Sequence, residues 1–381
     1  MISSNAALTV AKYALGASVT ATILAIGGLW YFQRSLIYPS GFPEGSRIVV
    51  PKPIEVGCPY EDVTLTCSDG VKIKAYVIMA RRKPLMVSEL RGLSLAERKE
   101  RAQMEMEAWA QEMGDEKAIE YSKSRPTIVI FHANAGNMGH RVPLARHFNV
   151  DFRCNVFMLS YRGYGHSEGK PSESGKLLSC CIMQKINDIK HCHHIYLGLQ
   201  IDIQTAMKYV QAHPILGQTK IILYGQSLGG AACFYATSKH RDAVAGVIVE
   251  NTMLSFKTLV PLIMPQIPRF LLPILLTEHW DAHKTVPLIP STTPILFLVG
   301  KRDTLVKAEQ MLALRKLRGS GRTRWREFDG EHNDTCLQPG YWEEIGKWLR
   351  EEIEDDGVEV VDQNDRGEKN SLKATTEDAT F

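Results

Sequence analysis

The sequence predicts an α/β protein built on a mostly parallel sheet, and two observations support this. First, short apolar runs typical of buried strands alternate with segments of helical periodicity from residue 126 onward. Second, the apolar run 221–224 leads into Gly-Gln-Ser-Leu-Gly at 225–229, and small residues at 229–237 favour a helix directly after it. This order of strand, turn and helix predicts a serine held above the carboxyl end of the sheet.

Length and composition favour one large domain with accessory segments. The chain has 381 residues, a formal net charge of +3 and eight cysteines. The length suits one sizeable α/β domain. The nearly balanced charge, with no basic stripe, argues against a nucleic-acid partner. The cysteines are too scattered for a disulfide framework, so we expect mainly free or buried thiols.

An uncharged and mostly apolar run at residues 13–33 predicts a transmembrane anchor. About 20 such residues span a bilayer as a helix, and Trp30 and Tyr31 lie at one end, where interfacial aromatic residues belong. A cleaved signal peptide is the alternative, which the length of the run and the single preceding Lys12 disfavour. The flanking basic residues lean weakly towards a cytosolic body. We expect a single-pass protein of an endomembrane, such as the endoplasmic reticulum, or of the plasma membrane.

The main domain is predicted over residues 45–353. Runs at 61–67 and 71–79 favour two strands, and Asp69-Gly70 between them is typical of a hairpin turn. Residues 81–124 are charged and rich in helix formers, which favours a solvated helical insertion. The other strands are expected at 127–131, 155–160, 221–224, 245–250, 294–299 and 323–328. The other helices are expected from His140 and at 201–212, 229–237, 311–317 and 341–353.

Residues 255–290 interrupt the alternation of strands and helices. Prolines break an apolar run that one regular helix could not span; they are Pro261, Pro265, Pro268 and Pro273. We interpret the segment as a cap over the site, and a packed core connector is the alternative. Its apolar residues would suit an acyl chain; they include Phe270, Leu271, Leu272, Ile274 and Leu275. The polar and acidic residues 354–381 predict a disordered tail.

Three residues that each follow a predicted strand form a candidate catalytic triad. They occur in the chain order Ser227, Asp303, His332. A serine hydroxyl is a weak nucleophile that needs a base, and the base needs an orienting acid. His332 would accept the Ser227 proton, and Asp303 would fix the tautomer of the imidazole. Asp281 and Asp329 lie nearby, but neither follows the strand that precedes the histidine's own.

Backbone N–H groups at two turns are the candidate oxyanion hole. One belongs to Leu228, directly after the serine, and the other comes from the loop after the strand 127–131, at Ala133 or Asn134. His132 lies closer to this loop than to the triad, and we expect it to have a structural hydrogen-bonding role. No metal and no organic cofactor is implied.

These motifs together carry a family resemblance, at segments 132–137, 160–165, 225–230, 250–252, 280–281, 300–303 and 331–335. The chain resembles the membrane-anchored α/β-hydrolase-domain proteins of the fungal bud-emergence type and their animal ABHD-type relatives, from the anchor to about Leu349. The resemblance implies an α/β-hydrolase fold, a serine hydrolase triad, and acyl-thioester or lipid-ester substrates. Ala133 departs from the glycine of many relatives, but only its backbone N–H is needed.

Residues 176–198 are a second departure from the family pattern, because relatives continue from Gly175 directly into the helix that begins near Leu199. The insert carries cysteines and histidines, including Cys180, Cys181 and His191. Their spacing matches no zinc finger, so we do not assign a zinc site. Gly175-Lys176 can be encoded with a splice donor and residues 196–198 with an acceptor. We therefore interpret the insert as a retained intron.

Two functions from different classes follow from the sequence. The first is a membrane-anchored serine hydrolase that cleaves carboxylic ester or thioester bonds of acyl-lipid or acyl-protein substrates, with a depalmitoylase-like activity included. The alternative is a non-catalytic membrane scaffold of hydrolase ancestry in cell polarity or morphogenesis. Residues and spacing do not indicate an oligomeric state.

Overall fold

The computed structural model describes residues 4–86, 89, 92–173 and 198–353. In this part of the chain one sheet contains eight strands: β1 Glu61–Thr66, β2 Lys72–Ile78, β3 Thr127–Phe131, β4 Asn155–Ser160, β5 Ile221–Gln226, β6 Val244–Glu250, β7 Ile295–Gly300 and β8 Thr323–Phe328. Their spatial order is β1-β2-β4-β3-β5-β6-β7-β8. β2 runs antiparallel to β1 and β4, whereas the pairs from β4 to β8 are parallel.

Helices cover both faces of this sheet. They are α1 Ser4–Ile37, α2 Leu95–Glu112, α3 Glu116–Ser124, α4 Val142–Arg146, α5 Leu199–Ala212, α6 Leu228–Lys239, α7 Phe256–Ile263, α8 Leu272–Leu275, α9 Ala282–Thr285, α10 Ala308–Arg318 and α11 Tyr341–Glu352. Alternate residues of each central strand enter one of two apolar clusters, as in β3, where Val129 and Phe131 face one side and Ile128 and Ile130 the other. Both faces of the central strands are therefore buried, which explains their almost continuous apolar sequences.

The helix α1 is longer than the predicted anchor. Its segment Lys12–Ile37 is long and apolar enough to cross a membrane by length and composition, and none of the most apolar stretch is buried in the protein. Where the apolar run ends, Gln33 Oε1 accepts a hydrogen bond from Thr277 N–H at 2.9 Å, and Arg34 Nε donates to Glu278 Oε1 at 3.1 Å. These bonds give the last turn of α1 partners on the main domain.

The segment predicted as a cap has both an inner and an outer face. Phe256, Leu259 and Val260 on α7 are buried against the core, whereas Ile263 and Phe270 are exposed. The segment forms the short helices α7, α8 and α9, with one proline inside α7 and another in the first turn of α8. The segment thus packs on the core with one face and is exposed on the other, and its role as a cap over the site stays a prediction.

The helix expected from His140 is short. A 3-10 turn, Met138–Arg141, leads into α4, which ends at Arg146 and is followed by a π turn, His147–Asp151. Gly139 packs closely in the 3-10 turn, since a Cβ there would lie 2.5 Å from Pro51.

Candidate active site

The serine turn joins β5 to α6 in a conformation that is rare for residues with a side chain. Ser227 has φ 55° and ψ −117° and is 7% exposed. Its N–H donates to the carbonyl of Glu250 at 2.9 Å, which holds the turn against the end of β6. Such a backbone costs about 1–3 kcal/mol and persists only where its surroundings enforce it.

Two glycines allow strand and helix to approach at this turn. A Cβ at Gly225 would lie 2.2 Å from the backbone of Gly229, and a Cβ at Gly229 would lie 2.0 Å from the carbonyl oxygen of Phe131. Both distances are far below van der Waals contact, so any side chain would push the helix away from the strand. The close packing also brings the first turn of α6 against the loop that follows β3.

Asp303 and His332 meet beyond the ends of β7 and β8. The Nδ1 atom of His332 lies 2.7 Å from Asp303 Oδ2, and the Asp303 side chain is buried. The other carboxylate oxygen of Asp303 accepts the N–H groups of Leu305 and Val306, both at 2.8 Å. The carboxylate is therefore held by three hydrogen bonds and can fix both the tautomer and the orientation of the imidazole.

Two polar side chains attach the His332 loop to the serine turn. Gln226, the residue before the serine, donates from Nε2 to the His332 carbonyl at 2.6 Å. Asn251 Nδ2 donates to the same carbonyl at 3.2 Å, and Asn251 Oδ1 accepts the N–H of Gly300 at the end of β7. These bonds place the histidine beside the serine turn. We did not identify either residue as functional from the sequence, where Asn251 stood out only as part of a family motif.

The buried carboxyl group of Glu250 supports the serine turn through hydrogen bonds. Glu250 accepts hydrogen bonds from the hydroxyls of Tyr224, at 2.8 Å, and Tyr341, and from the side-chain amide of Gln226. Burial raises the pKa of Glu250, and the two tyrosine hydroxyls act against that rise. This network fixes the end of β6, where the carbonyl of Glu250 accepts the hydrogen bond from the Ser227 N–H.

The residues predicted for the oxyanion hole lie on adjacent segments. Leu228 is the first residue of α6, so its N–H is one of the helix amides that have no partner inside the helix. Across from it, Ala133 is buried and its carbonyl accepts from His132 Nδ1 at 2.7 Å. In a trans peptide the N–H of Asn134 points to the side opposite that carbonyl. The His132 ring therefore orients the peptide between Ala133 and Asn134.

The side chain of Asn134 links this loop to the anchor helix. Its Oδ1 accepts from the Tyr164 hydroxyl at 2.9 Å, and its Nδ2 donates to the carbonyl of Ile37, the last residue of α1. The end of the predicted anchor thus contacts the loop beside the candidate active site.

No metal cluster of three or more His, Cys, Asp or Glu occurs among the residues that the structure describes. The cysteines and histidines of the insert lie outside the described residues, as does the predicted acidic tail. Among the described residues, no disulfide joins the cysteines, which are Cys58, Cys67, Cys154, Cys233 and Cys336.

Comparison with known proteins identifies the class. Residues 126–276 match the family model described as alpha/beta hydrolase fold. The Pyrococcus furiosus esterase Pf2001 superposes with a TM-score of 0.53 over 81% of this chain and 98% of that chain, at 15% sequence identity. The likeness to this solved structure shows the fold.

Two fungal relatives identify the group within that class. The chain is 36% identical to Protein bem46 of Schizosaccharomyces pombe, over 91% of this chain and 96% of that protein. It is 33% identical to the membrane protein YNL320W of Saccharomyces cerevisiae, over 90% and 97%. The chain belongs to the α/β-hydrolase family and, within it, to the bem46-like proteins. The apolar N-terminal helix and the membrane-protein relative fit a single-pass membrane protein.

Proposed function

We propose that the chain is a membrane-anchored serine hydrolase that cleaves carboxylic ester or thioester bonds through Ser227, Asp303 and His332. One observation carries the proposal. His332 Nδ1 and Asp303 Oδ2 lie 2.7 Å apart, and a hydrogen bond from Gln226 holds the His332 backbone beside a serine turn with positive φ. A structural serine would have no need of a strained turn beside an oriented imidazole.

The geometry supports a two-step mechanism. The Ser227 hydroxyl attacks the acyl carbon while His332 Nε2 accepts its proton, and the imidazolium then protonates the leaving alcohol or thiol. In the second step His332 activates a water that hydrolyses the acyl-serine. Leu228 and the 133–134 peptide would bind the oxyanion in both steps, where the loss of one donor costs about 10²–10³ in rate.

The cap and the anchor favour acyl-lipid or acyl-protein substrates. Phe270 is 76% exposed, and Leu262 and Ile263 are also exposed on the cap. Such residues would contact an acyl chain or the surface of a bilayer. The preferred site of action is the surface of an endomembrane or of the plasma membrane.

A fluorophosphonate probe tests the proposal directly. The probe should label the full chain, and Ser227→Ala should abolish the labelling because the nucleophile is lost. Ser291→Ala, at an exposed serine, is the matched control and should label fully. Labelling that persists in Ser227→Ala would show that another residue reacts. Rescue of a deletion phenotype by Ser227→Ala would favour the scaffold function instead.

A further inference from the structure

The cap contains a cavity of about 760 Å³ that lies apart from the triad. Segments on both sides of α8 line it, and Ser227, Asp303 and His332 do not. Its apolar wall consists of Pro261, Leu272, Pro273 and Leu276. The volume of this cavity lies within the range of small-molecule sites.

Positive charge dominates the polar part of the cavity. Lys257, Arg269 and Lys284 line it together with the histidines His279 and His283, against the single carboxylate of Asp281. That carboxylate is already engaged, since it lies 3.2 Å from His283 Nδ1 and 3.9 Å from Lys284 Nζ.

Among the residues that the structure describes, the cations Lys257 and Arg269 have no acidic partner. Within residues 4–86, 89, 92–173 and 198–353, no carboxylate lies within salt-bridge distance of either side chain. Two unpaired cations beside an apolar wall favour a ligand that carries an anionic group and a hydrocarbon part.

The position of the cavity indicates where that ligand comes from. α8 contacts α1, and Thr277, one residue beyond the cavity wall, hydrogen-bonds Gln33, where the apolar run of α1 ends. With α1 in a bilayer, this residue lies at the level where hydrocarbon gives way to headgroups. Phe270, next to Arg269 in the chain, is exposed and could contact hydrocarbon there.

We infer that the cap cavity binds the phosphate headgroup of an anionic membrane lipid, with Lys257 and Arg269 as its ligands and the leucine–proline wall against the proximal hydrocarbon. The site would hold the cap against membranes that contain anionic lipids. It is independent of the proposed hydrolysis, because none of its residues belongs to the triad.

Native mass spectrometry of the full chain in a neutral detergent tests the inference. The probes are an ether-linked dialkyl phosphatidate and the matching phosphatidylcholine. Neither contains a carboxylic ester, so hydrolysis cannot affect the readout. One phosphatidate should bind, at least about tenfold more tightly than the phosphatidylcholine, and rising salt should weaken it.

Lys257→Gln/Arg269→Gln should weaken phosphatidate binding by about tenfold or more. The matched control Lys208→Gln/Lys316→Gln removes the same charge from exposed positions on α5 and α10 and should bind as the parent does. Circular dichroism establishes that the variants fold. Equal binding of the two lipids, or undiminished binding in the cap variant, would overturn the inference. If inorganic phosphate bound as tightly as the phosphatidate and displaced it, that result would also contradict a membrane lipid as the source of the ligand.

Discussion

His132 shows how one residue can set the geometry of the candidate oxyanion loop. Its Nδ1 meets the Ala133 carbonyl, and its Nε2 accepts from the Tyr161 N–H at 3.4 Å. A carbonyl only accepts and an amide N–H only donates, so the ring must be neutral with its proton on Nδ1. Burial also favours the neutral ring, since it lowers the pKa of His132 to about 3.

This buried neutral histidine makes stability depend on pH. In the unfolded chain it would titrate near the ordinary value of about 6.5. Between that pH and the folded-state pKa, the unfolded state therefore binds one more proton. The contribution is fully present above pH 6.5, and it is lost as the pH falls, by at most about 1.4 kcal/mol per pH unit.

We predict that His132→Asn reduces the acid sensitivity of the fold. Between pH 6.5 and 4, the free energy of unfolding of the parent should fall by about 1–3 kcal/mol more than that of the variant. Guanidinium unfolding in detergent across this range measures the difference. Buried acids such as Glu250 titrate in both proteins and cancel. Parallel curves would mean that His132 is protonated equally in both states.

At the scale of elements, the segments that flank the insert contact each other directly. The N–H of Leu199 donates to the Ser172 carbonyl at 2.6 Å, and the N–H of Gln200 donates to the Glu173 carbonyl at 3.3 Å. The residue before Leu199 must be glycine, because a Cβ at Gly198 would lie 2.5 Å from both carbonyl oxygens. Removal of residues 176–198 places Gly175 at this position.

We therefore predict that a chain without residues 176–198 folds and reacts like the full chain. Its fluorophosphonate labelling rate should agree within about twofold, because the deletion leaves the flanking contacts and the triad in place. Loss of both labelling and helical circular dichroism would show that the insert is needed for folding. Amplification of the transcript tests the retained intron itself, which predicts a main spliced form without these codons.

Elements with strong local signals were predictable, and contacts between distant segments were not. The apolar runs of β3 and β4 gave the bounds that the structure has, because a central strand must be apolar on both faces. The chain order of serine, aspartate and histidine indicated the candidate triad for a similar reason, as each follows a strand.

The hydrogen bonds that hold the loops of the site together had no such local signal in the sequence. Asn251 joins two loops that are far apart in sequence, and its φ of 44° depends on that packing. In the same way, the apolar pattern of α1 predicted a span but not the extra turn. That turn is held by Thr277 and Glu278, which lie about 240 residues further along the chain.

At the scale of the whole molecule, Glu278 is the junction between the anchor and the hydrolase domain. Its buried carboxylate accepts from Arg34, from the Tyr38 hydroxyl at 2.9 Å and from the Glu173 N–H. Tyr38 in turn accepts from Trp280 Nε1 at 2.9 Å. One side chain thus holds the end of α1, the connector and the segment before the insert.

We predict that Glu278→Gln loosens this junction without releasing the anchor. An amide cannot accept all three donors, so amide hydrogen exchange in residues 33–42 and 272–280 should rise by about tenfold or more. Glu309→Gln, at an exposed position, should leave exchange unchanged. Carbonate extraction should leave both variants in the membrane. Unchanged exchange in Glu278→Gln would contradict the role of Glu278 as the junction.

The connector after α1 has a consequence for how far the enzyme can reach. Asn137 Nδ2 donates to the carbonyls of Ser46 and Val49, and the Gly136 N–H donates to that of Phe42. A flexible linker of this length would let a domain move over some tens of ångströms. This connector instead packs against the hydrolase domain through these hydrogen bonds. With α1 in a bilayer, the serine keeps a fixed height above the lipid. It would act on bonds presented at that height, so the substrate has to come to the enzyme.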